Sequence, residues 1–144
     1  EKIRMLVFSD NSPGHIALGA AIGIFLACSP FLGFHTVAAL GLALICRASR
    51  LAAWLGTLLN NPVTMAPIYL LEIKMGSYIL GYSLALPGGI WKDIVDLFSL
   101  GREAVLSIMT GFIILGFVSA ITGYLLTLGA VLYIRKKRAQ KRET

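Results

Sequence analysis

Charge is what this sequence has least of. Of its 144 residues, 14% are Asp, Glu, Lys or Arg, against about 25% in an ordinary soluble domain. None of the four occurs within residues 11–46, 51–71, 75–91 or 104–134. A bilayer core takes about 20 apolar residues, so three of these runs are long enough to span one and 75–91 just reaches. With 57% hydrophobic residues and a mean hydropathy of +0.80, the pattern predicts an all-α integral membrane protein.

Acidic residues are scarcer than basic ones, 7 against 13. No carboxylate pair lies within an apolar run, which removes the usual general acid and base. A phosphate-binding Gly-rich loop, a dinucleotide fingerprint, HExxH and a nucleophile elbow are also missing. No catalytic residue is therefore expected. Only two cysteines occur, Cys28 and Cys46, far from CxxC spacing. They read as small buried hydrophobes, with no metal and no cofactor.

The net charge of +6 is concentrated. Arg135-Lys136-Lys137-Arg138, with Lys141 and Arg142, follows the last apolar run directly. That position marks a flank held on the cytoplasmic side rather than a nucleic-acid patch, and residues 135–144 are expected as a basic cytoplasmic tail. At the other end, Glu1 in place of a start methionine suggests an excerpt of a longer protein. Lys2 and Arg4 precede an apolar patch too short for a signal peptide, so residues 1–11 are expected as an interfacial segment.

What the chain does have is proline and asparagine where a lipid-facing helix has no use for them. Ser29-Pro30-Phe31-Leu32-Gly33-Phe34-His35-Thr36 interrupts the first run, and Asn60-Asn61-Pro62-Val63-Thr64-Met65-Ala66-Pro67 the second. Irregular backbone at membrane depth is tolerated only where protein covers it or it lines a wet cavity. Paired breaks in successive hydrophobic segments point to a midplane binding site of transporter type. The legs around each break are short, which predicts two Pro-broken, re-entrant helical hairpins plus spanning helices within a single membrane domain, 12–134. Gly19-Ala20-Ala21-Ile22-Gly23 should let a neighbouring helix approach closely.

Residues 75–91 are expected to form a separate crossing, ended by Pro87-Gly88-Gly89, with 91–103 as an amphipathic interfacial loop. Residues 104–134 fit either one tilted helix or a second hairpin turning near 119–123. Two topologies follow. In one, both hairpins enter from the cytoplasm; in the other, 51–71 crosses and the last run is re-entrant. Both leave the C-terminus inside.

New helix starts at Thr36 and at Asn61-Pro62 would leave free N–H groups and the positive end of a helix dipole inside the membrane. Such a pocket suits phosphate or carboxylate. The ligand-binding candidates are His35, Thr36, Asn60, Asn61, Thr64 and Tyr69, with Arg47 and Arg50 recruiting an anionic head group. Pro30, Gly33, Pro62 and Pro67 would shape the backbone. The plainer alternatives are a structural His35, asparagines that only satisfy freed carbonyls, and Glu72 with Lys74 as an interfacial boundary. Tyr69, Tyr78, Tyr82, Trp54 and Trp91 read first as interface anchors.

The P-x-x-G-x-H-T run from Pro30 and the N-P-x-T-x-x-P-x-Y run from Asn61, with Ser12-Pro13 and Arg50, resemble the bacterial membrane-protein family known as domain of unknown function 2062. The resemblance covers most of the chain. It implies a bacterial inner-membrane protein, and some members of that family are fused to envelope glycosyltransferases. The expected function is flippase-like transport of an anionic envelope lipid or lipid-linked phosphate, with no nucleic-acid partner. The alternative is a non-catalytic membrane scaffold or partner of an envelope glycosyltransferase. Glycine-rich faces and short legs that need cover predict a homo-oligomer.

Overall fold

The computed structural model describes residues 12–30, 33–82 and 101–142. Among these residues every regular element is a helix: α1 (Pro13–Ala27), α2 (Phe34–Ile45), α3 (Arg50–Thr57), α4 (Pro62–Leu80) and α5 (Arg102–Arg142). The expected interfacial segment 1–11, the Pro87-Gly88-Gly89 stop and most of the amphipathic loop lie outside the described residues.

The helix boundaries follow from local chemistry. Ser12 caps α1, its hydroxyl accepting from the His15 N–H at 3.3 Å, and Pro13 sits where no N–H is needed. The helix stops at Ala27, short of Ser29-Pro30, because the residue before a proline is pushed out of the helical region. Gly33, at φ +86°, opens α2 in a backbone region that glycine enters freely.

The α2–α3 turn is a Schellman motif: the Ala48 N–H reaches the Ala43 carbonyl at 2.8 Å and the Arg47 N–H the Leu44 carbonyl at 3.2 Å. Arg47 occupies its left-handed position, φ +53°, where glycine is the unstrained choice. Arg47→Gly is therefore expected to raise thermal stability by up to ~1 kcal/mol, as read by unfolding in detergent.

Two small-residue crossings hold the helices together. Gly19 meets Ser49 and Ala52, and Gly23 meets the Ala53 carbonyl and Gly56, so α3 runs parallel to α1 at backbone contact. The close approach expected of Gly19 to Gly23 is present. In the same way Gly76 of α4 lies on the Ser107 backbone and Gly111 of α5 on the Glu72 backbone. α2 packs antiparallel on both α1 and α3, burying Ala39 and Ala43 with Ile22 and Ala53.

α5 organises the rest. It runs past α4 first, with Ala104 and Ile108 on Ile73. It then passes the end of α1, where Phe112 and Phe117 flank Phe25 at ring-centre distances of 5.0 and 5.1 Å. It finishes beside the start of α1, where Val131 packs with Ile16 and Ala52. α1 and α4 are thus stacked along one helix of 41 residues, about 61 Å long at ~1.5 Å per residue.

Several expectations are corrected. Glu72 and Lys74 do not interrupt α4, and Pro67 lies inside it. Proline there removes only the hydrogen bond to the Val63 carbonyl, one turn from the helix start, and Val63 is exposed to other partners. α4 ends at Gly81, in the left-handed conformation at φ +71°, so residues 75–80 belong to α4 rather than starting a separate crossing, and 83–91 lie outside the described residues. Residues 104–134 form one helix rather than a hairpin turning near 119–123. Its hydroxyls bond back to their own helix, Ser107 to the Glu103 carbonyl and Thr122 to that of Val118, both at 2.8 Å, so they need no break. The basic residues 135–142 continue α5 instead of forming a separate tail. Cys28 is buried as expected, but Cys46 is exposed because α2 buries only its alanine face.

Among the described residues one helix, α5 over Arg102–Gln140, is long and apolar enough, by length and composition, to cross a membrane. α1 and α2 are apolar but shorter.

Candidate functional site

The two breaks meet. Tyr69, on α4 about two turns past Pro62, is 4% exposed, and its hydroxyl reaches back to the Ser29 carbonyl in the first break at 3.4 Å. The Asn60 amide lies beside that same hydroxyl. Its buried Nδ2 has no hydrogen-bond partner. A cavity of about 230 Å³ opens at this level, lined by Cys28 from α1, Leu59 after α3, Thr64 and Ile68 from α4, and Leu115 and Ser119 from α5. The Cys28 thiol lies beside the Ser119 hydroxyl. The chain ends of α1 and α3 and the start of α4 are thus gathered against the middle of α5.

The two expected helix starts differ in kind. α4 caps itself: the Asn61 Oδ1 accepts from the Val63 and Thr64 N–H groups at 2.9 and 3.1 Å, and Thr64 Oγ1 accepts from the Asn61 N–H at 3.1 Å. The Thr64 hydroxyl also donates to the Leu59 carbonyl. This is a full capping box after Pro62. Asn61 and Thr64 are already committed to the backbone, and Asn61→Ala is expected to cost about 1 kcal/mol through the lost cap, measurable as a lower melting temperature.

The α2 start has no side-chain cap. Its first-turn donors lie behind exposed Gly33 and Phe34. His35 and Thr36 are half-buried in that turn, and His35 Nδ1 has no hydrogen-bond partner. Of the two expected helix starts, that of α4 carries a side-chain cap and that of α2, among the described residues, does not.

Arg47 and Arg50 stand elsewhere. They are exposed at the α2–α3 turn, which is tied to the start of α1 by the Ser49 N–H donating to the His15 carbonyl at 2.9 Å. The α1 helix separates that end from Ser29, about 20 Å at ~1.5 Å per residue. The same end receives the α5 segment that carries Arg135 to Arg138, through the packing of Val131 on Ile16 and Ala52. The recruiting arginines and the break junction form two levels of the molecule rather than one pocket.

An apolar groove joins those levels. About 420 Å³ in volume, it lies between α1, α3 and α5, from Leu59 and Ile24 near the junction to Ala52, Val131 and Ile134 near the basic end. The remaining wall is apolar except for Thr127.

Sequence reasoning missed Glu72, read there as an interfacial boundary with Lys74. The side chain is 0% exposed, and neither carboxylate oxygen has a hydrogen-bond partner, Lys74 included. Residues two apart do not share a helix face, and Lys74 is exposed while Glu72 turns inward. The signal was present in the helical stripe Tyr69, Glu72, Ile73 and Gly76, all buried. The anchor reading of Tyr69 falls with its burial, whereas Tyr78, at 88% exposed, keeps it. Trp91 lies outside the described residues.

Residues 3–140 match the model of a bacterial family described as an uncharacterized protein conserved in bacteria, DUF2062. No curated protein and no solved structure matches the chain.

Proposed function

The chain belongs to that bacterial family, and on this premise we propose that it is a membrane-embedded, non-catalytic lipid-handling protein. It takes an anionic envelope lipid or lipid-linked phosphate with its chain in the groove and its head group at the basic end. The observation that carries the reading is the groove itself: uncharged walls, open along its length, with Arg47, Arg50 and Arg135 to Arg138 gathered at one end. Hydrocarbon matches the walls, and a phosphate matches the arginines.

Membrane residence has its own support. Only 33% of the most apolar stretch of α5 is buried within the protein. Val118, Ile121, Leu125 and Leu126 are each more than half exposed. Such a surface is suited to lipid contact. We place the chain in the bacterial inner membrane as a multi-pass protein. The basic end and the C-terminus then face the cytoplasm, and the α1–α2 pair turns back near mid-depth.

Lipid capture tests the reading. Protein purified in mild detergent and exchanged into mixed lipids is expected to retain phosphatidylglycerol or a polyprenyl phosphate over phosphatidylcholine. Arg47→Gln/Arg50→Gln is expected to weaken that preference several-fold. Equal retention of neutral and anionic lipid would instead leave the chain as a scaffold for an envelope enzyme.

A further inference from the structure

Glu72 carries chemistry that the groove does not use. Its carboxyl is shut off from solvent, sits where Gly111 brings the α5 backbone against the Glu72 backbone, and has no hydrogen-bond donor at either oxygen. A carboxyl in such a place is functional by default in a membrane protein, because an unpaired buried charge is too costly to keep for packing alone.

Its surroundings define what it can bind. At the end of α1 the Cys28 thiol is near enough to feel its charge, as is the Tyr69 hydroxyl of α4, which donates to the Ser29 carbonyl. α5 meets this stretch with Ser107 and Gly111, neither of them titratable. Lys74 is exposed, as are Arg102 and Glu103 at the start of α5. Among the described residues no cation faces the carboxyl. A sodium ion would want several oxygen ligands. Here the groups within electrostatic reach are a soft thiol and a phenol whose proton is already committed. A proton needs no such shell. Cys28 also lines the junction cavity, and Ile68 and Leu71 bring the same stretch of α4 to it.

We propose that Glu72 is a proton-exchange site at the junction of the two breaks. It takes up a proton from water reaching the junction cavity, forming one O–H bond, and releases it as the carboxylate. The neutral form lets α4 and α5 close on each other at Gly76 and Gly111. The charged form, without a partner, favours loosening of that crossing. This deepens the lipid-handling reading and rests on it only for what the proton is coupled to.

The test uses the full chain in native lipid vesicles and a hydrophobic carbodiimide. The protonated carboxyl adds its O–H across one C=N bond of the reagent, giving an O-acylisourea that rearranges to a stable N-acylurea. Peptide mass spectrometry should find the adduct at Glu72, with exposed Glu103 favoured instead by a water-soluble carbodiimide. Labelling should fall by about tenfold per pH unit above its midpoint, as a one-proton equilibrium requires, and be indifferent to sodium. Glu72→Gln should remove the adduct.

An unmodified Glu72, labelling that is flat with pH, or protection by sodium would overturn the proposal. In vesicles that move lipid, Glu72→Gln should abolish the dependence of that movement on a pH gradient. Lipid movement by wild-type protein that ignores the gradient would overturn the coupling but spare the lipid reading. No lipid movement, together with pH-dependent labelling, would remove the lipid reading and leave the proton site standing.

Discussion

Replacing Gly23 with leucine is expected to abolish folded protein. A Cβ at that position would meet the Ala53 carbonyl, with Gly56 Cα only 2.8 Å away. These are backbone atoms of α3, which no rotamer change can clear. Overpacking against movable side chains already costs about 1–3 kcal/mol. Forcing two helix backbones apart would cost at least ~3 kcal/mol against a total stability of about 5–15. It would also open the alanine-lined seam that α2 closes, where Ala39, Ala43, Ile22 and Ala53 pack together. The measurement is the yield of monodisperse protein after size exclusion, with Gly41→Leu beside it. Nothing lies within 4 Å of a Cβ built at Gly41, so that variant should purify like wild type. Equal loss in both would mean that bulk anywhere is harmful and that the α1–α3 crossing is not special.

Ala130→Trp is expected to do the opposite kind of damage, leaving the fold and removing lipid capture. Ala130 lines the groove between Leu126 and Ile134 on α5 and is exposed, so the indole has room without displacing the core. An indole there fills much of the cross-section that a lipid chain would need, and retention of anionic lipid should fall by at least tenfold. Val118→Trp is the control, because Val118 is exposed on α5 away from the groove. Unchanged melting temperatures in both variants, with capture lost in one alone, would assign the effect to the groove.

The parts of this fold legible in the sequence are those in which one residue type has one local use. Ser12-Pro13 and Asn61-Pro62 each carry a cap followed by a proline that needs no donor, and each starts a helix. Gly19 and Gly23, four apart, lie on one face, and that face holds a helix. Ser29-Pro30 ended α1 for reasons internal to the chain.

The rest depended on distant partners. Pro67 looked like part of the break, yet the capping box at Asn61 starts α4 firmly enough for the helix to pass it. The length of 104–134 left open one tilted helix or a hairpin, and the single helix forms, with Ser107 and Thr122 bonded back to their own backbone. Glu72 and Lys74 looked like a pair from their proximity in sequence, but the α4–α5 crossing buries one and leaves the other in the open.

The residues singled out in the sequence are distributed by the fold over two levels of the molecule. Both breaks do converge, through Tyr69 on Ser29. His35 and Thr36 stand at an α2 start without a side-chain cap, Asn61 and Thr64 cap the α4 start themselves, and Arg47 and Arg50, expected to recruit a head group, lie one helix away. That separation follows from α2 running back along α1, which returns the chain to the start of α1 and leaves Arg47 and Arg50 there, one helix from Ser29.

The central claim is that lipid enters this protein through the groove between α1, α3 and α5. Its most direct measurement is transbilayer movement of a fluorescent anionic lipid in vesicles containing purified protein, read by quenching of the outer leaflet. The account predicts fluorescence loss well beyond the half accessible in empty vesicles for wild-type protein, reduced to the empty-vesicle level by Ala130→Trp. Wild-type protein that is folded and inserted but leaves the inner leaflet protected would contradict it.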